Sequence, residues 1–179
     1  MLEVQTTSTP PIFFSPLLHR YTLEEFWSLP EPGDGSYYEL IGGMLFMSPL
    51  PGYEHDEVDS YLDKSLLKFL ITHGEPGKVY HPRAAIYTSK HGHTYLEPDM
   101  IYVSNELRKK MGRKRTSADI VFEYLSESTA VYDRTTKADT YLVLGIKELW
   151  LVDADKKTIE IRNAKKKKSQ LFWKFAYFV

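Results

Sequence analysis

Glu123 interrupts an apolar run. In "ADIVFEYLSESTAVYDRTTKADTYLVLG", residues 118–145, Ile120, Val121 and Phe122 precede it and Tyr124 and Leu125 follow. A run of that length reads as a buried strand. An unpaired charge inside one costs on the order of several kcal/mol, so a lysine, an arginine or a metal must compensate it. Asp99, in "LEPDMIYV", is a second acid near the head of an apolar strand. Alternation puts it on one face with Ile101 and Val103. Two acids on neighbouring strands can converge on one divalent cation, and Mg²⁺ needs only one or two carboxylates because it keeps several waters. The plainer alternatives are an Asp99 carboxylate in solvent and a metal-free ion pair at Glu123.

Lys137 follows on a helix. It lies four residues after Asp133, so the two share a face, with Tyr141 and Leu144 close to the same stripe. That face leans toward the sheet, where an ammonium could reach Glu123 and stabilise developing negative charge. The alternative is a surface pair worth a few tenths of a kcal/mol, about the value of an exposed i,i+4 contact. Glu39, inside "YYELI", and His55, on the stripe that carries Val58 and Leu62, can both face inward. A lone histidine on an apolar helix face is more often a core residue than a ligand. "EHDEVD" lacks the second histidine of HExxH, so a zinc protease is not indicated. His91 and His93 flank a turn glycine and read as surface residues.

These side chains need elements to hold them. Thr22 with Glu25 resembles a capping box opening a short helix to Leu29. "YYELIGGMLFMSP" predicts a β-hairpin bent at Gly42-Gly43. Val58, Leu62, Leu66 and Phe69 draw one apolar stripe along a helix from Glu54 to about Thr72. "KVYHPRAAIYTS" and "TYLEPDMIYVS" predict the next two strands, with Pro98 at a strand entry or an interrupted ladder. The basic stretch "RKKMGRKR" reads as a connection, followed by the Glu123 strand. The helix from about Asp133 to Leu144 stops at Gly145, and "KELWLVDAD", "KTIEIRNA" and "LFWKFAYFV" supply further strands. Helices and strands interspersed around one sheet imply an α/β or α+β domain. Residues 1–20, rich in Thr, Ser and Pro, are expected to form a flexible arm, and 21–179 a single domain.

Bulk properties narrow the classes. The chain has 179 residues and no cysteine, which excludes disulfides and thiolate zinc sites. A formal net charge of −1 gives no global pull toward nucleic acid, so such binding needs local patches. Neither a membrane span nor a signal peptide is read in the sequence, and a cytoplasmic protein is expected.

"YELIGGMLFMSPLPGYEH", "EPDMIYVS", "DIVFEYLSEST" and "DRTTKADTYLVLGIKELWLVD" together resemble the Uma-two family of candidate endonucleases. That family lies in the restriction-endonuclease-like PD-(D/E)XK superfamily, and the likeness runs from residue 37 to about 153. It implies a restriction-endonuclease-like core, a central mixed β-sheet flanked by helices, with an N-terminal helix and hairpin. Pro98-Asp99 matches the "PD" element and Glu123 the following acid. The resemblance implies Mg²⁺ or Mn²⁺ held by Asp99 and Glu123, and water attack on a phosphodiester. Glu39 matches the family's upstream acid and His55 the histidine opening its long helix. The superfamily's lysine, two positions after the acid, is Leu125 here, and the family's lysine corresponds to Lys137. "LSES" stands where the family has "LSPS".

The expected activity is a metal-dependent endonuclease acting on nucleic acid, DNA before RNA. Arg108, Lys109, Lys110, Arg113, Lys114 and Arg115 would contact phosphates, as would Lys165 to Lys168. A homodimer is one option, since enzymes that cut both strands often pair. Two rivals stand beside this reading. One is a catalytically inactive nucleic-acid-binding or protein-interaction module. The other is a purely structural Glu123–Lys137 ion pair.

Overall fold

A two-glycine bend sets the first sheet. Gly42 and Gly43 have φ of 56° and 81°, a conformation that glycine adopts without a Cβ penalty. They close a hairpin between β1 (Tyr37–Ile41) and β2 (Met44–Ser48), pairing Glu39 with Phe46 and Tyr37 with Ser48. In the computed structural model, which describes residues 19–50, 52–126, 129–163 and 169–172, ten strands form two sheets. The expected arm at residues 1–20 falls almost wholly outside the described residues, as do Lys165 to Lys168 and the last seven residues.

The small sheet has the order β2-β1-β5-β4, where β4 is Ile86–Thr88 and β5 is Thr94–Leu96. The large sheet runs β10-β9-β8-β7-β6-β3. Its strands are β3 (Gly77–Tyr80), β6 (Met100–Ser104), β7 (Ile120–Tyr124), β8 (Glu148–Asp153), β9 (Thr158–Arg162) and β10 (Ser169–Phe172). All its pairs are antiparallel except β7 with β8. A parallel pair requires a crossover. It is made by a helical segment of three parts: α4 (Ala130–Tyr132), a π turn (Asp133–Lys137) and α5 (Ala138–Val143). Gly145 then turns the chain at φ 80°.

Alternation along β6, β7 and β8 sorts the core. Ile101, Val103, Val121, Leu149 and Leu151 face the crossover helix and the small sheet, packing with Ala138, Tyr141, Ile41, Ile86 and Leu96. Met100, Phe122, Tyr124 and Val152 face α2 (Tyr53–Thr72) through Val58 and Leu62. A third cluster joins Leu40 to Leu23 and Phe26 of α1 (Leu23–Trp27), whose Thr22–Glu25 capping box is formed.

Several expectations are corrected. Each of the two strands predicted over 78–89 and 94–104 is split between the sheets. The breaks fall at His81–Ala85, with Pro82 and a left-handed Arg83 (φ 66°), and at Glu97–Asp99, with Pro98. Proline cannot donate to a ladder, so the chain leaves one sheet there and joins the other. The expected central mixed sheet is the six-stranded one; the hairpin joins β4 and β5 in a second, four-stranded sheet beside it. The first half of the basic stretch is helical: α3 (Asn105–Met111) starts on Ser104, whose hydroxyl accepts the Leu107 N–H at 3.2 Å. Phe69 is exposed on α2 and stacks on His73, while Leu70 is buried in its stead. His93 is half-buried, and its Nδ1 accepts the Leu23 N–H at 3.1 Å.

Candidate active site

Glu123 shares the face of Val121, so β7 aims it at the crossover helix. The helix answers with residues four apart. The Lys137 ammonium lies 3.0 Å from Glu123 Oε1 and 3.7 Å from Asp133 Oδ1. Tyr141 donates its hydroxyl to the same Glu123 oxygen at 2.5 Å. From the small sheet, Glu39 Oε1 reaches Lys137 at 3.3 Å. Glu39 is itself held by the Ser48 hydroxyl on Oε2 (2.9 Å) and by the Glu97 N–H on Oε1 (3.0 Å). Glu39, Glu123, Asp133, Lys137 and Tyr141 are all buried.

Asp99 lies just before β6, in the break between the two sheets, and its Oδ2 accepts the Tyr124 N–H at 2.7 Å. The residue after Glu123 is thereby tied to the second acid. Asp99, Glu123, Asp133, Lys137 and His55 line one cavity of about 250 Å³, closed by Tyr37, Ser48, Thr129 and the start of α2. Thus Asp99, Glu123, Lys137 and His55 meet at one cavity, and Glu39 stands behind Lys137.

Burial dominates the electrostatics. It pushes the Glu123 carboxyl well above the usual glutamate range, against the pull of Lys137 and with the neighbouring Asp99 adding to the rise. Asp99 is raised by the same cause, opposed by Lys137, by the Tyr124 N–H and by His55. Asp133 is raised too, opposed by Lys137 and by a hydrogen bond from Thr129. Burial alone would lower Lys137, but Glu123 and Glu39 reverse this and hold its pKa well above the ordinary lysine value. The balance is lopsided: Glu39, Asp99, Glu123 and Asp133 face a single ammonium. Carboxylates pushed toward their protonated form are relieved by a proton or by a hard cation.

The donor set suits such a cation. Asp99 and Glu123 offer oxygen ligands, which Mg²⁺ and Mn²⁺ accept. Among the described residues no group of three or more His, Asp or Glu forms a ready metal cage. A two-carboxylate site completed by water does not require one.

The basic residues lie elsewhere. Arg108, Lys109, Arg113, Lys114 and Arg115 line a separate cleft of about 510 Å³ at the Val103 end of β6, four residues along the strand from Asp99. Four residues of strand span about 13 Å. Arg115 sits 4.6 Å over the Tyr80 ring. Lys110 is exposed on α3 and does not line that cleft.

Some site residues were not singled out from sequence. Ser48 was legible in the hairpin register, because a bend at Gly42-Gly43 places it diagonally from Glu39. Tyr141 was legible as the next step of the four-residue ladder. Tyr37 and Thr129 left no comparable signal. A further network lies behind Tyr124: its hydroxyl donates to Asp59 (2.9 Å), and the His81 ring bridges Asp59 (3.1 Å) and Asp63 (2.9 Å).

The fold has a counterpart among solved structures. A protein described as a "putative nuclease belonging to DUF820" from Anabaena variabilis superposes with a TM-score of 0.68 at 18% identity, over 86% of this chain and 85% of that one. That likeness is one of fold. No curated protein matches the sequence. The profile of the Uma2 family, described as "Putative restriction endonuclease", matches residues 23–171, most of the length. The chain belongs to the Uma2 family.

Proposed function

We propose that this protein is a divalent-metal-dependent nuclease that hydrolyses phosphodiester bonds, with DNA as its substrate. The observation that carries the reading is one buried ammonium, Lys137, set 3.0 Å from Glu123 and 3.3 Å from Glu39 beside a cavity that Asp99 also lines. Family membership supports it independently. A core shared by both sheets supports a single domain from residue 21 onward.

Asp99 and Glu123 would hold Mg²⁺ or Mn²⁺. Such an ion, when bound, supplies Lewis acidity toward a phosphoryl oxygen and acidifies water. The chain's own groups do the rest. Lys137 is kept charged by its carboxylate neighbours, and it offsets the negative charge that grows on the phosphoryl oxygens in the transition state. Glu39 is a brace: two donors, the Ser48 hydroxyl and the Glu97 N–H, fix it, and it fixes Lys137. His55, half-buried at the first turn of α2 beside Asp99, can orient a water. Tyr141 and Lys137 both engage Oε1 of Glu123, which sets the direction in which the carboxylate points.

A metal-free structural ion pair has one observation in its favour, the close Lys137–Glu123 contact. Nicking of supercoiled plasmid and cleavage of single-stranded oligonucleotides in Mg²⁺, Mn²⁺ or EDTA separate the two. Asp99→Asn is the companion variant, because its amide oxygen can still accept the Tyr124 N–H. Product should form only with metal and fall by about 10²-fold or more in the variant, the scale of losing one transition-state contact. No cleavage of either substrate, or cleavage indifferent to EDTA and to Asp99→Asn, refutes the proposal.

A further inference from the structure

We propose that the aromatic pocket beside the carboxylate cavity binds an unpaired nucleobase of the substrate strand, a reading that rests on the nuclease function proposed above. The pocket, of about 240 Å³, lies between α1, β1 and the β5–β6 connection, and Tyr37 lines both it and the carboxylate cavity. That size suits one flat ring, being smaller than the usual pocket for a drug-sized ligand.

Its walls suit a base. Trp27 is 54% exposed and stands edge-on to Tyr87 at 5.9 Å. Behind the lining, Tyr87 stacks with Tyr95 at 6.3 Å, and Tyr95, which lines the pocket, packs on Phe26 at 4.8 Å. Phe26 is buried and Tyr87 and Tyr95 are half-buried, so Trp27 is the exposed ring, and an exposed aromatic face holds a single-stranded base by stacking. Its polar groups suit a base too. The Glu97 carboxylate lines the pocket, where it accepts the Tyr95 hydroxyl at 2.9 Å and can accept from an exocyclic amino group. Arg83 lines the pocket from the opposite connection, held there by a left-handed backbone at φ 66°.

Continuity with the cavity decides the occupant. The Glu97 backbone N–H donates to Glu39, the brace of Lys137, while its side chain lines the aromatic pocket. Asp99 follows two residues later, roughly 7 Å of extended chain. A phosphodiester at Asp99 therefore has its neighbouring base within reach of Glu97 and of the pocket that Glu97 and Trp27 both line. A duplex cannot present that base, so the substrate is single-stranded or has a base turned out of the stack.

The test is anisotropy with fluorescein-labelled 12-mers of dC, of dT and of abasic units, in EDTA at low salt. The wild type should bind the dC 12-mer on the order of ten-fold more tightly than the abasic one. Trp27→Ala should erase that difference with abasic affinity unchanged, and Trp27→Phe should retain most of it. Glu97→Ala should narrow the preference for dC over dT. Equal affinity for the dC and abasic 12-mers, or equal weakening of both by Trp27→Ala, overturns the proposal. So does a dimer that Trp27→Ala dissociates in sedimentation without changing oligonucleotide affinity, which would make this face a contact between copies. Metal-dependent cleavage without base discrimination removes the base pocket and leaves the nuclease. Base discrimination without cleavage supports the pocket and removes the nuclease.

Discussion

Replacing Lys137 by methionine keeps the length of the side chain and deletes its charge. Lys137 is 2% exposed and lies within 4 Å of Glu123, Glu39 and Asp133. Breaking a buried pair by removing one partner costs about 3–5 kcal/mol, because the other charge stays buried. For a chain of this length each kcal/mol moves Tm by about 2–4 °C, so the variant should melt roughly 6–20 °C below the wild type at pH 8. The loss should depend on pH. Glu123 already lies well above its ordinary value through burial, and Lys137 is the largest influence pulling it down. Without Lys137 it rises further. The folded state then binds more protons than the unfolded chain, whose glutamate titrates near about 4.3, and stability falls as pH rises from there through the folded value. The wild type shares this fall until its own Glu123 ionises, and above that point the gap between variant and wild type should widen. Circular dichroism melts in EDTA at pH 5, 6, 7 and 8 read this directly. Glu123→Gln combined with Lys137→Met should recover part of the loss, since Glu39 and Asp133 remain, with a coupling of about 0.5–3 kcal/mol. A gap that is constant across pH, or a double variant whose losses simply add, refutes the claim that these charges stabilise one another.

Two further outcomes follow from the same geometry. On the proposed function divalent cations and protons would compete for Asp99 and Glu123, both raised by burial, so the Tm gain from 5 mM (about the working excess) Mg²⁺ or Mn²⁺ should be larger at pH 8 than at pH 5.5 and vanish in Asp99→Asn, by differential scanning fluorimetry. Gly77→Ala should lower Tm by several degrees, about 1–3 kcal/mol of overpacking, because a Cβ there would meet the Val103 carbonyl oxygen at 2.5 Å across β3–β6; an unchanged melt shows that the edge strand can shift.

Much of the site was legible because its geometry is local arithmetic. Asp133, Lys137 and Tyr141 are spaced by four, and Glu123 is the only charge in its strand, so the sequence already pointed one at the other. The division into two sheets was not legible. An apolar residue such as Ile86 or Val79 has the same alternating pattern whichever sheet it joins, and only Pro82 and Pro98 mark where the chain changes partners. Helix α3 was missed because its apolar positions, Leu107 and Met111, are too few to draw a stripe, although Ser104 offered a cap. Where the basic residues fall relative to Asp99 depends on the length of β6 and on which strand lies beside it, and neither is written in the local sequence.

The position of the lysine follows from the strand order. Two residues beyond Glu123 on β7's extension, the side chain is Leu125, which packs half-buried against the core while its N–H pairs with Val152. A strand-borne lysine there would displace that packing. The crossover helix supplies the ammonium instead, and it can do so because β7 and β8 are parallel, which obliges a helix to return across the same face. The π turn adjusts the delivery. Over Asp133–Lys137 the helix widens, and two consecutive residues, Lys137 and Ala138, become buried, one beneath the carboxylates and the other in the apolar core. A regular helix turns by about 100° per residue and gives adjacent residues less equal burial. Widened turns of this kind recur at functional sites, and this one lies over Asp133–Lys137, beneath the carboxylates. In this chain the result is an ammonium 3.0 Å from a buried carboxylate, delivered by the crossover helix rather than by the strand.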